Sequence, residues 1–313
     1  MGLGLWQAGS RLWSSQLSSK DLAEALEIAR SFGIDLLDTA ELYGWGRSEA
    51  LLGQALSIVG REGFFVASKV AGFRTSSDEV VKAVAAIDRR LGFSVDLIQL
   101  HWPPPFWIDL CRPIRGLEKA VSEGLAHYYG LSNFDVDLIE KALECSKRLE
   151  PVSDQVQYSL AFRTPELKLK PFLDSRGLTL IAWSPLAKGA LAGARPTSLA
   201  QRFDRVFFEA SKDWELQKAL ETVSAKLKAS KAQIALAWLV TKKAIPIPGF
   251  RNPKRVEEIA RAGTLELPEW AIRELDEASQ KYLNKWGSAV WSSRMRLVPA
   301  LLQKVALRVL GGV

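Results

Sequence analysis

The sequence predicts a parallel α/β barrel of the (β/α)8, TIM-barrel class, and three observations carry that expectation. Eight short runs rich in branched and aromatic residues alternate with longer amphipathic stretches along the chain. Strands that alternate with helices build parallel sheets. The polar residues closing consecutive runs, Asp38, Lys69, His101 and Ser132, stand 31, 32 and 31 residues apart, one strand–helix unit each time. A chain of 313 residues suits such a barrel as one domain.

Strands are expected over 3–6, 34–38, 64–69, 95–101, 126–132, 153–157, 178–183 and 244–247. Between them, Ser19 and Asp21 open a helix that starts at Leu22, and Ser77-Asp78 opens one over 80–91, because short oxygen-bearing side chains satisfy the free amides of a first turn. The step from Trp183 to Pro248 is 65 residues. That surplus leaves room for a long loop over 187–211 and one extra helix before strand eight. With Lys188, Gly189, Gly193 and Pro196, the loop suits a cover that moves over a bound ligand, the plain alternative being a solvated insertion. After strand eight a helix is expected near Pro253, a residue favoured in the first helical turn. The barrel domain runs over 1–282. Residues 283–313 form a basic amphipathic extension, with a helix-like run over 300–310 after Pro299.

Composition narrows the function classes. The formal net charge is +7, but Lys281, Lys285, Arg294, Arg296, Lys304 and Arg308 all lie beyond Ser279 with no acid among them, so the body is nearly neutral and nucleic acid is not an expected partner. Cys111 and Cys145 show neither metal-ligand spacing nor a pairing framework. They are expected as packing residues in a reducing, cytoplasmic setting, and no metal site is expected. No run of about 20 apolar residues spans a bilayer. Three asparagines and two methionines hint at selection against thermolabile side chains, against which stand eleven glutamines.

In a parallel barrel the carboxyl ends of all strands face one side. Asp38, Tyr43, Lys69 and His101 therefore converge on one pocket as a catalytic set. Taken singly, each has a plainer reading: Asp38 a strand-end cap, Tyr43 a packed aromatic, His101 a satisfied core histidine, and Lys69 a Schiff-base lysine of the aldolase kind. No Gly-x-Gly-x-x-Gly loop follows a strand, which argues against a doubly wound dinucleotide domain; Gly2-Leu3-Gly4 fits strand one.

Asp38-Thr39-Ala40 with Tyr43-Gly44 and Ser48-Glu49, Ser68-Lys69, Leu100-His101-Trp102-Pro103, Gly130-Leu131-Ser132-Asn133-Phe134, Gln155 with Tyr158-Ser159-Leu160, Trp183-Ser184-Pro185-Leu186 and Ile247-Pro248-Gly249 together resemble the aldo-keto reductases, in family order from Gly2 to about Tyr282. The resemblance implies NADPH/NADP+ as cofactor and reduction of an aldehyde or ketone by direct hydride transfer. Tyr43 would be the proton donor to the forming alkoxide, Lys69 the charge that lowers the phenol's pKa, Asp38 the partner that keeps Lys69 charged, and His101 the group that orients the carbonyl.

The same resemblance implies a cofactor site along strands five to eight. Ser132, Asn133 and Gln155 would hold the nicotinamide carboxamide, and Trp183 would stack on the ring. Ser184, Pro185, Leu186 and Lys188 would follow the pyrophosphate, and Leu5 and Trp6 would also contact the cofactor. Ile247, Gly249 and Phe250 lead to Arg251, Arg255 and Glu258, where a helix amino end and two guanidinium groups suit a 2′-phosphate. Gly249 stands where the family often has a lysine, and Ile259 where it has its closing asparagine, which weakens the expected preference for NADPH. Members usually begin with a hairpin across the barrel floor. Here the sequence starts at the strand, so either the start is truncated or another element is expected to cover the floor.

Trp6, Trp45, Phe73 and Trp102, with Trp107, are expected to line a substrate pocket suited to planar or apolar small-molecule carbonyls. A second implication of the resemblance is a regulatory subunit that holds NADPH as a redox sensor, as potassium-channel β-subunits of this superfamily do. The family's C-terminal segment usually loops over the substrate mouth, so packing on the barrel is the plain expectation for the tail. Peripheral membrane contact or subunit pairing is the other.

Overall fold

The computed structural model describes residues 1–9, 17–287 and 295–309. Eight parallel strands follow one another around a single sheet: β1 (Gly2–Gly4), β2 (Leu36–Asp38), β3 (Phe65–Val70), β4 (Val95–Leu100), β5 (Ala126–Ser132), β6 (Ser153–Gln157), β7 (Thr179–Trp183) and β8 (Ile245–Pro246). The sheet closes where Gly4 bridges Gly249 and the Gly4 amide donates to the Pro248 carbonyl at 3.0 Å. All eight expected strands are present, β5 and β6 at the expected bounds and the other six shifted at their ends by a residue or two.

The helices are α1 (Trp6–Gly9), α2 (Ser19–Ser31), α3 (Arg47–Val59), α4 (Ser77–Leu91), α5 (Cys111–Ser122), α6 (Val136–Cys145), α7 (Leu169–Arg176), α8 (Leu199–Arg202), α9 (Arg205–Lys212), α10 (Trp214–Leu227), α11 (Lys231–Thr241), α12 (Lys254–Gly263), α13 (Glu269–Ser279) and α14 (Ala300–Val309). Capping boxes start α2 and α4: Ser18 with Asp21, and Ser76 with Glu79. Each cap lies one residue before the expected start, since the acid three positions on, not the serine alone, fixes it.

The stretch over 187–211, expected as a loop, is largely helical. Ser198 accepts from the Gln201 amide and Asp204 from the Phe207 amide at 2.7 Å, so two side-chain caps nucleate α8 and α9 inside it. Cys111 and Cys145, expected as unpaired packing residues, form a disulfide. It joins the first turn of α5 to the last turn of α6, positions 34 apart in sequence that neighbouring strand–helix units bring side by side. The pairing removes the cysteine argument for a reducing compartment. Among the described residues no helix is long and apolar enough to cross a membrane.

Two apolar layers hold the fold. The larger lies between the strands' outer faces and the helices, with Val66, Ile98, Leu131, Leu220 and Trp238. A smaller one fills the barrel's interior with Leu36, Ala67, Leu97, Ile181 and Ile247. Strand side chains alternate faces. The residue two positions beyond each inward apolar one therefore also points inward, nearer the carboxyl rim: Asp38 after Leu36, Lys69 after Ala67, Gln99 after Leu97, Trp183 after Ile181. The alternation that packs the barrel floor thereby aims the functional groups.

Candidate active site

Lys69 lies at the centre of the site and is fully buried. Its Nζ donates to Asp38 Oδ2 at 2.7 Å, to the Thr39 carbonyl at 2.8 Å and to Tyr43 Oη at 3.1 Å. These three acceptors use all the protons of an ammonium. Burial pulls the Lys69 pKa down, but the Asp38 carboxylate and the Tyr43 oxygen outweigh it and raise the pKa above its usual value.

For Tyr43 the balance falls the other way from the expectation. Loss of water pushes the phenol up more than Lys69 pulls it down, so the net shift is upward. The proton stays on the oxygen through the neutral range. His101, also buried, is driven well below the ordinary histidine range by loss of water and then by Lys69. Its imidazole is neutral, its Nδ1 has no hydrogen-bond partner among the described residues, and its ring meets the Tyr43 ring edge-on at 5.9 Å.

The turn carrying Tyr43 is tightly built. Gly44 has φ +61°, and a Cβ there would stand 2.1 Å from the Gly9 carbonyl oxygen, so only glycine fits. Thr39 donates to Ser48 Oγ at 2.8 Å, and Ser48 to the Leu5 carbonyl at 3.0 Å. Glu49, completely buried, accepts from Ser68 and Arg90 at 2.6 Å each. The Ser48-Glu49 pair thus ties α3 to β1, β3 and α4 around the lysine.

A cleft of about 970 Å³ opens over this cluster. Asp38, Tyr43 and His101 border it; Lys69 lies behind them. Every residue expected to hold the cofactor borders it as well, except Leu5, whose side chain packs in the outer core. Ser132 Oγ donates to the Gln155 carbonyl at 2.9 Å, and Gln155 Nε2 donates to Asp38 Oδ1 at 2.7 Å. The Asn133 amide is committed inside the protein: Nδ2 donates to the His101 carbonyl at 2.9 Å, and Oδ1 accepts from the Trp183 indole at 3.0 Å. Asn133 therefore fixes the plane of the Trp183 ring. Among the described residues, Asn133, Ser184 and Lys188 are three of the seven non-glycine residues with positive φ, and such positions gather at ligand sites.

Over the cleft, Lys188 Nζ pairs with Asp204 at 2.6 Å and lies 5.6 Å above the Trp6 ring, while Gln201 Nε2 donates to the Lys188 carbonyl at 2.9 Å. Arg255, also at the cleft, pairs with Glu258, which accepts in turn from Ser230 Oγ at 2.7 Å.

The aromatic lining of the cleft differs from that expected for the substrate wall. Trp6 borders the cleft, but Trp45, Phe73 and Trp102 do not. They cluster with Leu42, Ala71 and Leu307 beneath α14, because the tail helix occupies that side of the barrel. Trp107 is exposed. Phe162 and Trp286, stacked at 6.3 Å, border the cleft instead. Sequence reasoning also missed Gln7, a cleft residue one position past Trp6, and Gln99, which accepts from Gln155 at 3.4 Å. Gln99 was legible as the inward residue beside Lys69; Gln7 had no signal of its own.

These residues fit a dinucleotide. The cleft is bordered by the Trp183 indole and by the cations Lys188, Arg251 and Arg255. Gln7 Oε1 is a buried acceptor without a hydrogen-bond partner among the described residues, and the Gln7 carboxamide approaches Gly249 so closely that a Cβ there would meet it at 3.1 Å. Among the described residues no group of three or more His, Cys, Asp or Glu is placed to hold a metal.

The family model described as Aldo/keto reductase family matches residues 1–280. The chloroplastic pyridoxal reductase of Arabidopsis thaliana is 33% identical over 280 residues, covering 82% of this chain and 77% of that one. A thermostable aldo-keto reductase solved with the inhibitor epalrestat superposes with TM-score 0.75 at 31% identity, covering 88% of this chain and 94% of its own. An aldo-keto reductase of Klebsiella pneumoniae in complex with NADPH superposes with TM-score 0.74 at 26% identity, covering 91% of each chain.

Proposed function

Because the chain belongs to the aldo/keto reductase family of oxidoreductases, we propose that it reduces an aldehyde or ketone to the alcohol with NADPH, by direct hydride transfer and with Tyr43 as general acid. The observation carrying this reading is the buried cluster in which Lys69 Nζ touches both the Asp38 carboxylate and the Tyr43 hydroxyl, at the floor of a cleft with room for a dinucleotide and a small carbonyl.

The nicotinamide, when bound, supplies the hydride that reaches the carbonyl carbon. Tyr43 gives its proton to the carbonyl oxygen as that oxygen gains charge, so a neutral alcohol leaves. Lys69 stabilises the phenolate that remains, and Asp38 holds Lys69 charged and aimed. His101, neutral, donates a ring N–H to the same oxygen and orients it. Trp183, fixed by Asn133, offers a flat wall for the nicotinamide, Ser132 and Gln155 its polar partners, and Lys188, Arg251 and Arg255 the charge for phosphates. The NADPH complex of the Klebsiella structural relative supports this cofactor.

Tyr43→Phe tests the reading. It keeps the ring and deletes the proton donor, so NADPH binding by fluorescence should be retained while aldehyde reduction falls by about 10²-fold or more. Turnover within about threefold of the parent would remove Tyr43 from the role.

A further inference from the structure

The C-terminal helix carries its side chains in an order that does not suit a face turned to water. α14 presses Gln303 and Leu307 onto the barrel. There Gln303 accepts from the Trp102 indole at 3.0 Å and donates to the Met295 and Val298 carbonyls at 2.8 Å each. The opposite side carries Leu301 (70% exposed), Leu302, Val305 and Val309 (82% exposed), which form one continuous face at 3.6 residues per turn. Lys304 and Arg308 run along its flank.

The face extends beyond the helix. Leu297 is exposed just before it. The exposed Phe106–Trp107 pair, packed edge to face at 4.7 Å, joins the same region, because the Phe106 amide donates to the Arg296 carbonyl at 3.2 Å and Arg296 Nε to the Pro104 carbonyl at 3.3 Å. From Ser279 onward the sequence holds six basic residues and no acid.

We propose that this face docks on an anionic lipid bilayer, with α14 lying in the plane of the interface. Apolar side chains outward, cations on the flank and an aromatic pair at the edge are what the headgroup boundary of an anionic leaflet accommodates. Charge decides against a second copy of the chain. A two-fold pair would set the same face against itself, bringing both copies' Lys304 and Arg308 together with no acid in the segment to offset them.

The test uses the full chain and sedimentation with phosphatidylcholine vesicles containing about a third phosphatidylglycerol. The protein should pellet with these vesicles at about 0.1 M salt, stay in solution with pure phosphatidylcholine, and be released at about 1 M salt. Leu302→Gln with Val305→Gln should weaken binding by about tenfold or more, and Lys304→Gln with Arg308→Gln by roughly fivefold per charge. Leu302 and Val305 are exposed, and their replacement should leave the melting temperature at the parent value; Lys304 is half-buried and Arg308 lies over the Trp45 ring at 5.8 Å, so the charge pair is compared with the parent at temperatures where both are folded by thermal melting. Three results overturn the proposal: no binding of the parent chain to anionic vesicles, binding that neither pair weakens, or a dimer that the Leu302→Gln, Val305→Gln variant dissociates while the parent ignores vesicles, which would seat a second copy on the face.

Discussion

Replacing Lys69 by methionine tests the electrostatic part of the proposed reaction directly. The Lys69 ammonium stands 3.1 Å from the Tyr43 oxygen. At the effective dielectric constant of about 20 that suits buried sites, a full charge at that distance is worth about 5 kcal/mol. With the proton half transferred, about half of that acts in the transition state, so losing the ammonium costs about 2.5 kcal/mol, or roughly 70-fold in rate. The single change would leave Asp38 buried without its cation, which destabilises a fold by about 3–5 kcal/mol. The informative variant is therefore Lys69→Met with Asp38→Asn, in which the new side-chain oxygen still accepts from Gln155. Single-turnover reduction of a soluble aldehyde at saturating NADPH gives the rate, thermal melting checks the fold, and cofactor fluorescence gives Kd. A folded double variant with normal Kd and a rate within about threefold of the parent would refute the reasoning.

The pH dependence follows from two shifts. His101 is neutral because its pKa is depressed below the ordinary 6.5, and the Tyr43 proton is retained because its pKa is raised above the ordinary 10.0; kcat/KM for reduction should therefore show no inflection near 6.5 and fall only as pH rises past 10. For stability, the depressed His101 pKa favours the fold fully above 6.5, and that share is lost as pH falls from 6.5 toward the folded value. Arg255→Ala should raise the NADPH Kd about tenfold or more and leave NADH almost unchanged, since a charged contact to phosphate is worth about 1.5–3 kcal/mol; equal losses would move the phosphate grip elsewhere. Converting Cys111 and Cys145 together to alanine opens a cross-link across 34 residues, worth about 3–4 kcal/mol by chain entropy, so the melting temperature should drop by about 5–6 °C; a reductant should reproduce the drop, and no change in either case would deny the cross-link.

The barrel was legible because Asp38, Lys69, His101 and Ser132 repeat at the length of one strand–helix unit, and because apolar runs of strand length are separated by capped helices. The candidate catalytic cluster was legible for the same reason: its members sit at or just past strand ends, where the topology alone brings them together. What escaped depended on contacts between distant segments. Cys111 and Cys145 meet only once two neighbouring units are wound side by side. Trp45, Phe73 and Trp102 are aromatic residues beside strand ends, as a pocket wall would be; that a helix at the far end of the chain covers them is not written locally. The pKa of Tyr43 turned on burial against a single cation, a balance that needs coordinates. In 187–211, Gly and Pro suggested a loop, while Ser198 and Asp204, each three residues before an amide it caps, were the signal for helices.

The seam at Gly4 and Gly249 has a consequence for how the molecule breathes. Seven strand pairings run around the barrel as ordinary ladders, but the eighth is a lone bridge and one amide bond, and Gly4 and Gly249 both border the cleft. A nucleotide bound in the cleft as proposed would lie across the junction and clamp the first strand to the segment after the last. Part of its binding free energy would then be spent against opening of the ring, and whatever loosens the ring would lower its affinity in equal measure. The barrel by itself is a hoop held by a weak clasp, and a ligand across that seam would be the second half of the clasp.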